Sequence, residues 1–199
     1  RKNIPMATVA QEPKLVNEVM KLLALARRVF RQERSYQRGL ALCLAEVMAF
    51  AQHTVSQLIW GLGEPERDWS AWYRFFSRRR FRAEVASELL LEESLKHVDP
   101  DTWCVVGVDG FQVPRSGQRI EGVSWQKCPR TPAWKRGIHL AQRFLNLSWL
   151  TPVEGGYCRA IPVRIWTAFT AKARLSREVA RTEWAAALLA VQWVRAQLE

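Results

Sequence analysis

Apolar residues recur at helical spacing through the first half of the chain. Between residues 12 and 51 they fall every three to four positions, in one set that ends near Phe30 and a second that begins at Leu40. This period predicts amphipathic helix rather than strand. We expect a break in the helix between Ser35 and Gly39, because glycine disfavours a helix interior.

Three shorter helices are predicted downstream from their capping residues and apolar spacing. Ser, Thr and Asp commonly cap helix N-termini, and glycine commonly ends a helix. The predicted helices are Val55–Leu62 behind Thr54, a helix that Asp68 or Ser70 caps and that runs through Phe76, and Glu84–His97. The last of these is amphipathic, with glutamates on its solvated face.

The second half of the chain has the pattern of strands. Trp103–Val108 is a short β-branched apolar run, Gly137–Leu150 is a longer one, and Cys158–Phe169 follows a connection rich in Pro and Gly. That short connection predicts that the last two strands are antiparallel. Pro162 predicts an edge position or a bulge in the last strand. The stretch from Gly110 to Arg136 is predicted to be a loop.

These elements predict an α+β chain in two parts. A long helix, Ser176–Glu199, follows the last strand, with Ser176 as its N-cap. The order is therefore a helical region followed by β-β-β-α. The character of the sequence changes at Asp99, so we expect a helical domain over residues 1–98 and a strand-containing domain over residues 99–199.

The charge of the chain favours an anionic partner. Its 199 residues carry a formal net charge of +11, and the sequence pI is about 10.2. Nucleic acid is the first candidate and an anionic membrane the second. No apolar stretch approaches the ~20 residues that a membrane span needs, and no signal-peptide pattern opens the chain. The four cysteines form no CxxC pair, which favours reduced thiols in a cytosolic protein over a zinc site.

Two groups of cationic residues are candidate DNA contacts, since Arg and Lys contacts to phosphates dominate the affinity of proteins for DNA. Within Ala45–Arg82, a helix-turn-helix is one interpretation and a small helical bundle with solvated arginines is the other. Between Gly110 and Leu175, eleven Lys and Arg residues stand against two acids. The predicted DNA-binding residues are Arg74, Arg78, Arg79, Arg80 and Arg82 in the first group, and Arg115, Arg119, Lys127, Arg130, Lys135 and Arg136 in the second.

One acid stands out in the basic second half of the chain. Asp109 directly follows the Trp103 strand, and a carboxylate at such a place is costly to bury unless it is paired or binds a cation. Two interpretations are open: a metal-binding carboxylate beside a polyanion, or a cap for the following turn. The two other acids nearby, Glu121 and Glu154, are expected to be surface loop charges.

Several segments resemble the bacterial insertion-sequence DDE transposases, whose catalytic core is RNase H-like. Val105–Gly117 is similar to the first catalytic strand of that family, which ends in Asp and precedes a Pro-Arg-x-Gly loop. The other similar segments are Ile120–Val123, Arg136–His139 and Arg159–Val163, and, in the helical DNA-binding region, His53–Ser56, Gly61–Gly63 and Asp68–Tyr73. The resemblance covers nearly the whole chain from about Gln32. The family often has Thr two residues after the first Asp, where this chain has Phe111.

The resemblance implies a fold and a chemistry. The fold would be an N-terminal helical DNA-binding region followed by the first half, β-β-β-α, of an RNase H-like domain. Asp109 would be the first of three catalytic acids and a ligand of Mg²⁺ or Mn²⁺, which activate a water or a 3′-hydroxyl in such enzymes. The second acid belongs on a strand after the helix Ser176–Glu199. This chain would therefore hold one of the three acids, and the metals would belong to the complete enzyme.

Three functions stay open on the sequence. The first is the N-terminal part of a transposase that cleaves and transfers DNA strands once the missing half completes it. The second is a truncated, transposase-derived DNA-binding regulator without catalysis, and the third is an unrelated basic RNA-binding module. The expected partners are transposon-end DNA and a homodimer or a complementing C-terminal chain, because the Trp103 strand would have an exposed edge. The resemblance implies a cytoplasmic, nucleoid-associated bacterial protein.

Overall fold

The chain has an α+β architecture, as predicted. The computed structural model describes residues 14–49, 53–63, 68–96, 98–99, 101–132, 134–135, 137–169 and 180–199. The elements of these residues are α1 (Lys14–Leu25), a 3-10 helix (Ala26–Val29), α2 (Glu33–Met48), α3 (Val55–Gly61), α4 (Ser70–Ser77), α5 (Ala83–Leu95), β1 (Val105–Pro114), β2 (Ser124–Lys127), β3 (Ile138–Leu150), β4 (Ala160–Thr167) and α6 (Glu183–Leu198). Two compact units are present, Arg1–Leu89 and Leu90–Glu199, and the division between them falls inside α5.

The first unit is built from helices that pack on a shared core. The buried core residues of α2, α3 and α4 are Leu42, Ala45, Leu58, Ile59, Trp72 and Phe75. The Thr54 hydroxyl accepts a hydrogen bond from the Gln57 amide at 3.3 Å. Asp68 Oδ1 accepts one from the Ser70 amide at 2.9 Å. Such bonds pair amide groups that the first turn of a helix leaves free, so α3 begins where the sequence predicts. The N-cap position of α4 is Trp69, which lies between the two predicted capping residues.

The predicted break between Ser35 and Gly39 is wrong. Both residues lie inside α2, and the chain instead bends at Phe30–Gln32, where the backbone is extended at Phe30 and Gln32. The reason is packing, because a Cβ atom at Gly39 would lie 2.5 Å from the Phe30 ring. Glycine is used here to let the ring approach α2, and the contact outweighs the weak helix propensity of glycine.

The second unit contains a four-stranded antiparallel sheet with β3 at its centre. All of β1 pairs with one side of β3, from Val105 opposite Leu150 to Pro114 opposite Ala141. β4 and β2 both pair with the other side of β3, and β2 pairs with its first residues. The antiparallel pairing of the last two predicted strands is confirmed. Among the described strands, β1 pairs with β3 alone, so β1 lies at an edge of the sheet.

Two predictions about the segment after Val108 are wrong. β1 does not end there but continues to Pro114, because the Phe111 ring stacks on Phe144 of β3 with centroids 5.5 Å apart. The predicted loop Gly110–Arg136 also contains β2, so the observed order is β-β-β-β-α rather than β-β-β-α. The β2 strand has only four residues, too few for a periodic signal.

The last strand and the last helix are confirmed with changes at their ends. Pro162 lies at a β-bulge, where the pairing with β3 shifts register between Leu147 and Ser148. α6 begins at Glu183, and the Thr182 hydroxyl caps it by accepting a hydrogen bond from the Ala185 amide at 3.1 Å. The predicted N-cap at Ser176 lies outside the described residues, and residues 180–182 are not helical.

The two faces of the sheet differ in character, since side chains alternate along each strand. One face packs on α6; its core is formed by Leu145, Leu147, Trp166, Ala168, Ala186, Ala190 and Val194. The opposite face carries the alternate residues of β1 and β3, among them Asp109 and Asn146. Asp109 therefore lies on the sheet face that α6 does not cover.

Candidate metal site and basic surfaces

Asp109 lies inside β1, not at its end. Its side chain is exposed. Because the carboxylate is not buried, it does not need a partner to offset a cost of burial. The backbone on both sides of it pairs with β3, which fixes the direction in which the side chain leaves the sheet. An exposed carboxylate held by a paired strand is available to a cation or a substrate from solvent.

Asn146 lies directly opposite Asp109 on β3. Side chains opposite each other in antiparallel strands have Cβ atoms about 5 Å apart. The Asn146 Nδ2 donates a hydrogen bond to Ser148 Oγ at 2.8 Å. Its Oδ1, by contrast, is buried and has no hydrogen-bond partner among the described residues. A buried acceptor without a partner costs about 1–3 kcal/mol, so a water, a cation or another donor at this oxygen would be stabilising.

These two side chains have the chemistry of a magnesium site. Mg²⁺ and Mn²⁺ prefer oxygen ligands, and carboxylate and amide oxygens are both suitable. Asp109 offers a charged oxygen and Asn146 a neutral one that lacks a donor. The residues therefore fit a divalent cation in part. In the described ranges, no group of three or more His, Cys, Asp and Glu side chains could hold a metal, so a complete ligand shell is not assembled there.

Three other acids of the second unit lie in different settings. Glu183, in the first turn of α6, has its Oε1 2.6 Å from Arg143 Nε, and both side chains are somewhat over one third exposed. Arg143 lies on the face of β3 that packs on α6, opposite to the face of Asp109. Glu121 and Glu154 are exposed, and Glu154 lies in the turn between β3 and β4. We find that the sheet separates Asp109 from Glu183.

The cationic residues predicted in the second unit lie in different settings. The Arg115 Nε donates to Gln142 Oε1 at 2.7 Å, and Gln142 Nε2 donates in turn to the Glu121 carbonyl at 2.5 Å. Arg115 thus ties the loop after β1 to β3. Lys127 is exposed on β2. The side chains of Arg119, Arg130 and Lys135 are exposed in loops, and Arg136 lies outside the described residues.

The cationic residues predicted in the first unit lie in and after α4. Arg74 is in its last turn and lies 3.4 Å from Asp68. Arg78 and Arg79 form the turn that follows, and Arg79 has a positive φ of 45°. Arg82 is held through its backbone, since its amide donates to the Val29 carbonyl at 3.0 Å. The remaining member, Arg80, is half-buried in a cleft.

That cleft contains two arginines that are not among the predicted DNA-binding residues. Arg34 and Arg38 of α2 line it together with Arg74 and Arg80. Arg34 and Arg38 are four residues apart, which places them on one helix face, and this spacing could have identified them from the sequence.

Asn146 was also missed by the sequence-based prediction. Asn146 and Ser148 alternate with buried leucines on β3. This alternation marks a polar face of the strand and could have identified Asn146 from the sequence.

A comparison with protein-family models assigns the chain to a known family. The model described as DDE superfamily endonuclease matches residues 24–198. Because the match spans most of the chain, the chain belongs to the DDE superfamily endonucleases. The predicted resemblance to DDE nucleases is thereby confirmed. No curated protein and no solved structure matches the chain. Among the described residues, no helix is both long and apolar enough to cross a membrane.

Proposed function

We propose that the chain is the part of a bacterial insertion-sequence transposase that supplies the first metal-binding carboxylate for cleavage and transfer of DNA strands. The observation that carries the proposal is the pair of Asp109 and Asn146. Asp109 carries an exposed carboxylate, and Asn146, opposite it in the strand register, carries a buried oxygen without a donor among the described residues, in a chain of the DDE superfamily endonucleases. Divalent metals are general in nucleases of this superfamily, and the chemistry of both side chains suits one.

In the proposed site, Asp109 would hold Mg²⁺ or Mn²⁺ through its carboxylate, and Asn146 would add its neutral Oδ1. When bound, such a metal supplies an activated water or 3′-hydroxyl and stabilises the leaving oxygen. The role of the sheet is to fix both ligands, because residues on paired strands are held more rigidly than residues on loops. The hydrogen bond from Asn146 to Ser148 orients the amide so that Oδ1 stays free of the hydroxyl.

The rest of the ligand shell would come from outside the described residues. This part of the proposal is supported by the lack, within those residues, of any group of three His, Cys, Asp and Glu side chains suited to a metal. A complementing chain or a second copy could supply the missing acids. The edge of β1 offers unpaired backbone groups to such a partner.

DNA would bind through the cationic residues of both units. In the first unit these are Arg74, Arg78, Arg79, Arg80 and Arg82; in the second they are Arg115, Arg119, Lys127, Arg130, Lys135 and Arg136. The net charge of +11 supports this role, because neutralising phosphates releases counterions. Of these residues, we expect Arg115 to contribute less to DNA affinity, since its Nε already donates a hydrogen bond to Gln142. DNA would keep the protein at the bacterial nucleoid.

A second candidate function is a DNA-binding regulator without catalysis. One observation favours it: among the described residues, no three His, Cys, Asp and Glu side chains are grouped to hold a metal, whereas two-metal chemistry needs several such ligands. Such a protein would occupy transposon ends and compete with an active transposase.

The test is strand cleavage by the full-length natural protein with Asp109→Ala. We expect the substitution to abolish Mn²⁺-dependent nicking and joining of transposon-end DNA while the affinity for DNA changes less than twofold. Asp99→Ala, which removes another exposed acid of the second unit, is the control and should cleave normally. Unchanged cleavage by the Asp109→Ala protein would refute the catalytic assignment. If neither the wild type nor any variant cleaves, and all bind DNA, the regulator is the better description.

A further inference from the structure

The first unit contains a cleft lined by four arginines. Its volume is about 230 Å³, and it lies between the start of α2 and the end of α4. The guanidinium-bearing residues are Arg34, Arg38, Arg74 and Arg80, and Ser35, only 4% exposed, also lines the cleft. Among the described residues that line the cleft there is no Asp or Glu.

The backbone brings the arginines together from two separate elements. Arg34 and Arg38 are one helical turn apart on α2, so they project from the same face. Arg74 lies in the last turn of α4. Arg80 is turned back toward α4 because Arg79 has a φ of 45°, a left-handed conformation that L residues rarely adopt. The Arg80 amide then donates to the Phe75 carbonyl at 3.3 Å, which closes the turn.

Within the described residues, the positive charge of the cleft is compensated only in part. Arg74 lies 3.4 Å from Asp68, whose exposed carboxylate also accepts hydrogen bonds from Ser70. Within the part of the chain that the structure describes, no carboxylate forms an ion pair with Arg34, Arg38 or Arg80. Like charges that line one cleft repel each other. An anion in the cleft would relieve that repulsion.

The chemistry of the cleft suits a phosphate group. Guanidinium groups bind phosphate through paired, parallel N–H donors, and several of them can converge on one tetrahedral anion. We propose that this cleft binds one phosphate of the DNA backbone and so fixes the position of the first unit on the duplex. Arg34 and Arg38 thereby join the DNA-contacting residues. The inference rests on the proposed DNA-binding function and specifies a site for it.

The test compares substitutions that keep the net charge. Arg38→Lys retains the positive charge but loses the paired donors of the guanidinium. Arg31→Lys is the matched control, because Arg31 is exposed, lies three residues before Arg34 and does not line the cleft. We expect Arg38→Lys to weaken binding of a labelled DNA duplex about tenfold, the value of one charged hydrogen-bonding contact, while Arg31→Lys changes it less than twofold. Circular dichroism spectra would verify that both variants are folded.

A salt titration and a titration with inorganic phosphate complete the test. Arg38→Gln should lower the slope of log affinity against log salt by about 0.9, as expected for one lost phosphate contact. Inorganic phosphate should shift the NMR signals of the cleft arginines in the wild type and not in Arg38→Gln. Equal DNA affinities of the Arg38→Lys and Arg31→Lys proteins would overturn the cleft proposal alone. If the wild type binds inorganic phosphate but no DNA, both the backbone-phosphate proposal and the proposed DNA-binding function are wrong.

Discussion

Replacing Asn146 with valine should raise the free energy of unfolding of the chain and should weaken its binding of a divalent metal. Asn146 Oδ1 is buried without a partner, and such an acceptor costs about 1–3 kcal/mol. Valine removes this acceptor. Valine is also favoured over asparagine in strands, on a scale that spans about 1 kcal/mol.

The substitution has one opposing effect, the loss of the hydrogen bond from Asn146 Nδ2 to Ser148 Oγ at 2.8 Å. A bond of this kind contributes about 0.5–1.5 kcal/mol. The balance is an expected rise of about 1 kcal/mol in the free energy of unfolding. Urea denaturation followed by the fluorescence of the ten tryptophans measures it, with the midpoint rising and the slope unchanged.

Ser148→Ala is the matched control for this experiment. It removes the same hydrogen bond but keeps the unpaired oxygen, so we expect it to lower the free energy of unfolding by about 1 kcal/mol. A loss of stability in Asn146→Val as large as that in Ser148→Ala would refute the reasoning. That result would mean that Oδ1 has a partner in the folded chain.

Three further predictions concern packing, thiol chemistry and association. Gly39→Ala should lower the free energy of unfolding by about 1 kcal/mol, because overpacking against Phe30 exceeds the gain in helix propensity. Gly61→Ala is the control and should leave the free energy of unfolding unchanged, because a Cβ atom at Gly61 would meet open space. Equal effects of the two substitutions in thermal unfolding would argue against the packing account. Hydrogen bonds from the Thr131 hydroxyl and the Arg130 amide lower the pKa of Cys128, whereas burial raises the pKa of Cys104. Alkylation by iodoacetamide, followed by mass spectrometry across a pH series, should therefore reach half its maximal rate at a lower pH for Cys128 than for Cys104, and the reverse order would contradict the assignment. Because β1 is an edge strand, light scattering should detect self-association at high concentration, and a stable monomer would count against a partner at this edge.

The helical half of the fold follows closely from local signals. Thr54 caps α3 as the sequence predicts, and Asp68 accepts a hydrogen bond from the first amide of α4, because both contacts depend on residues within one turn. Gly39 misleads for the opposite reason. Its role is set by the Phe30 ring, which lies nine residues earlier in the sequence and reaches it only after folding. Local propensity does not contain that contact.

Asp109 can be singled out from the sequence because it is a local feature, whereas its surroundings in the fold are not local. The apolar run before it and the basic sequence after it mark the residue, but the stacking of Phe111 on Phe144 decides that β1 continues past it. Asn146 becomes its neighbour through the pairing register of strands 37 residues apart. The arginine cleft likewise combines α2 with α4, so no single window of sequence contains it.

The central claim, that Asp109 is a metal ligand, is tested most directly by Mn²⁺ titration of the isotopically labelled chain. Paramagnetic broadening in NMR spectra reports weak binding even without cleavage. The account predicts that Mn²⁺ broadens the amide signals of Asp109, Gly110 and Asn146 first, and that Asp109→Asn removes the effect while Asp99→Asn retains it. Broadening that is unchanged in Asp109→Asn, or that begins at other acids and leaves Asp109 untouched, would contradict the claim.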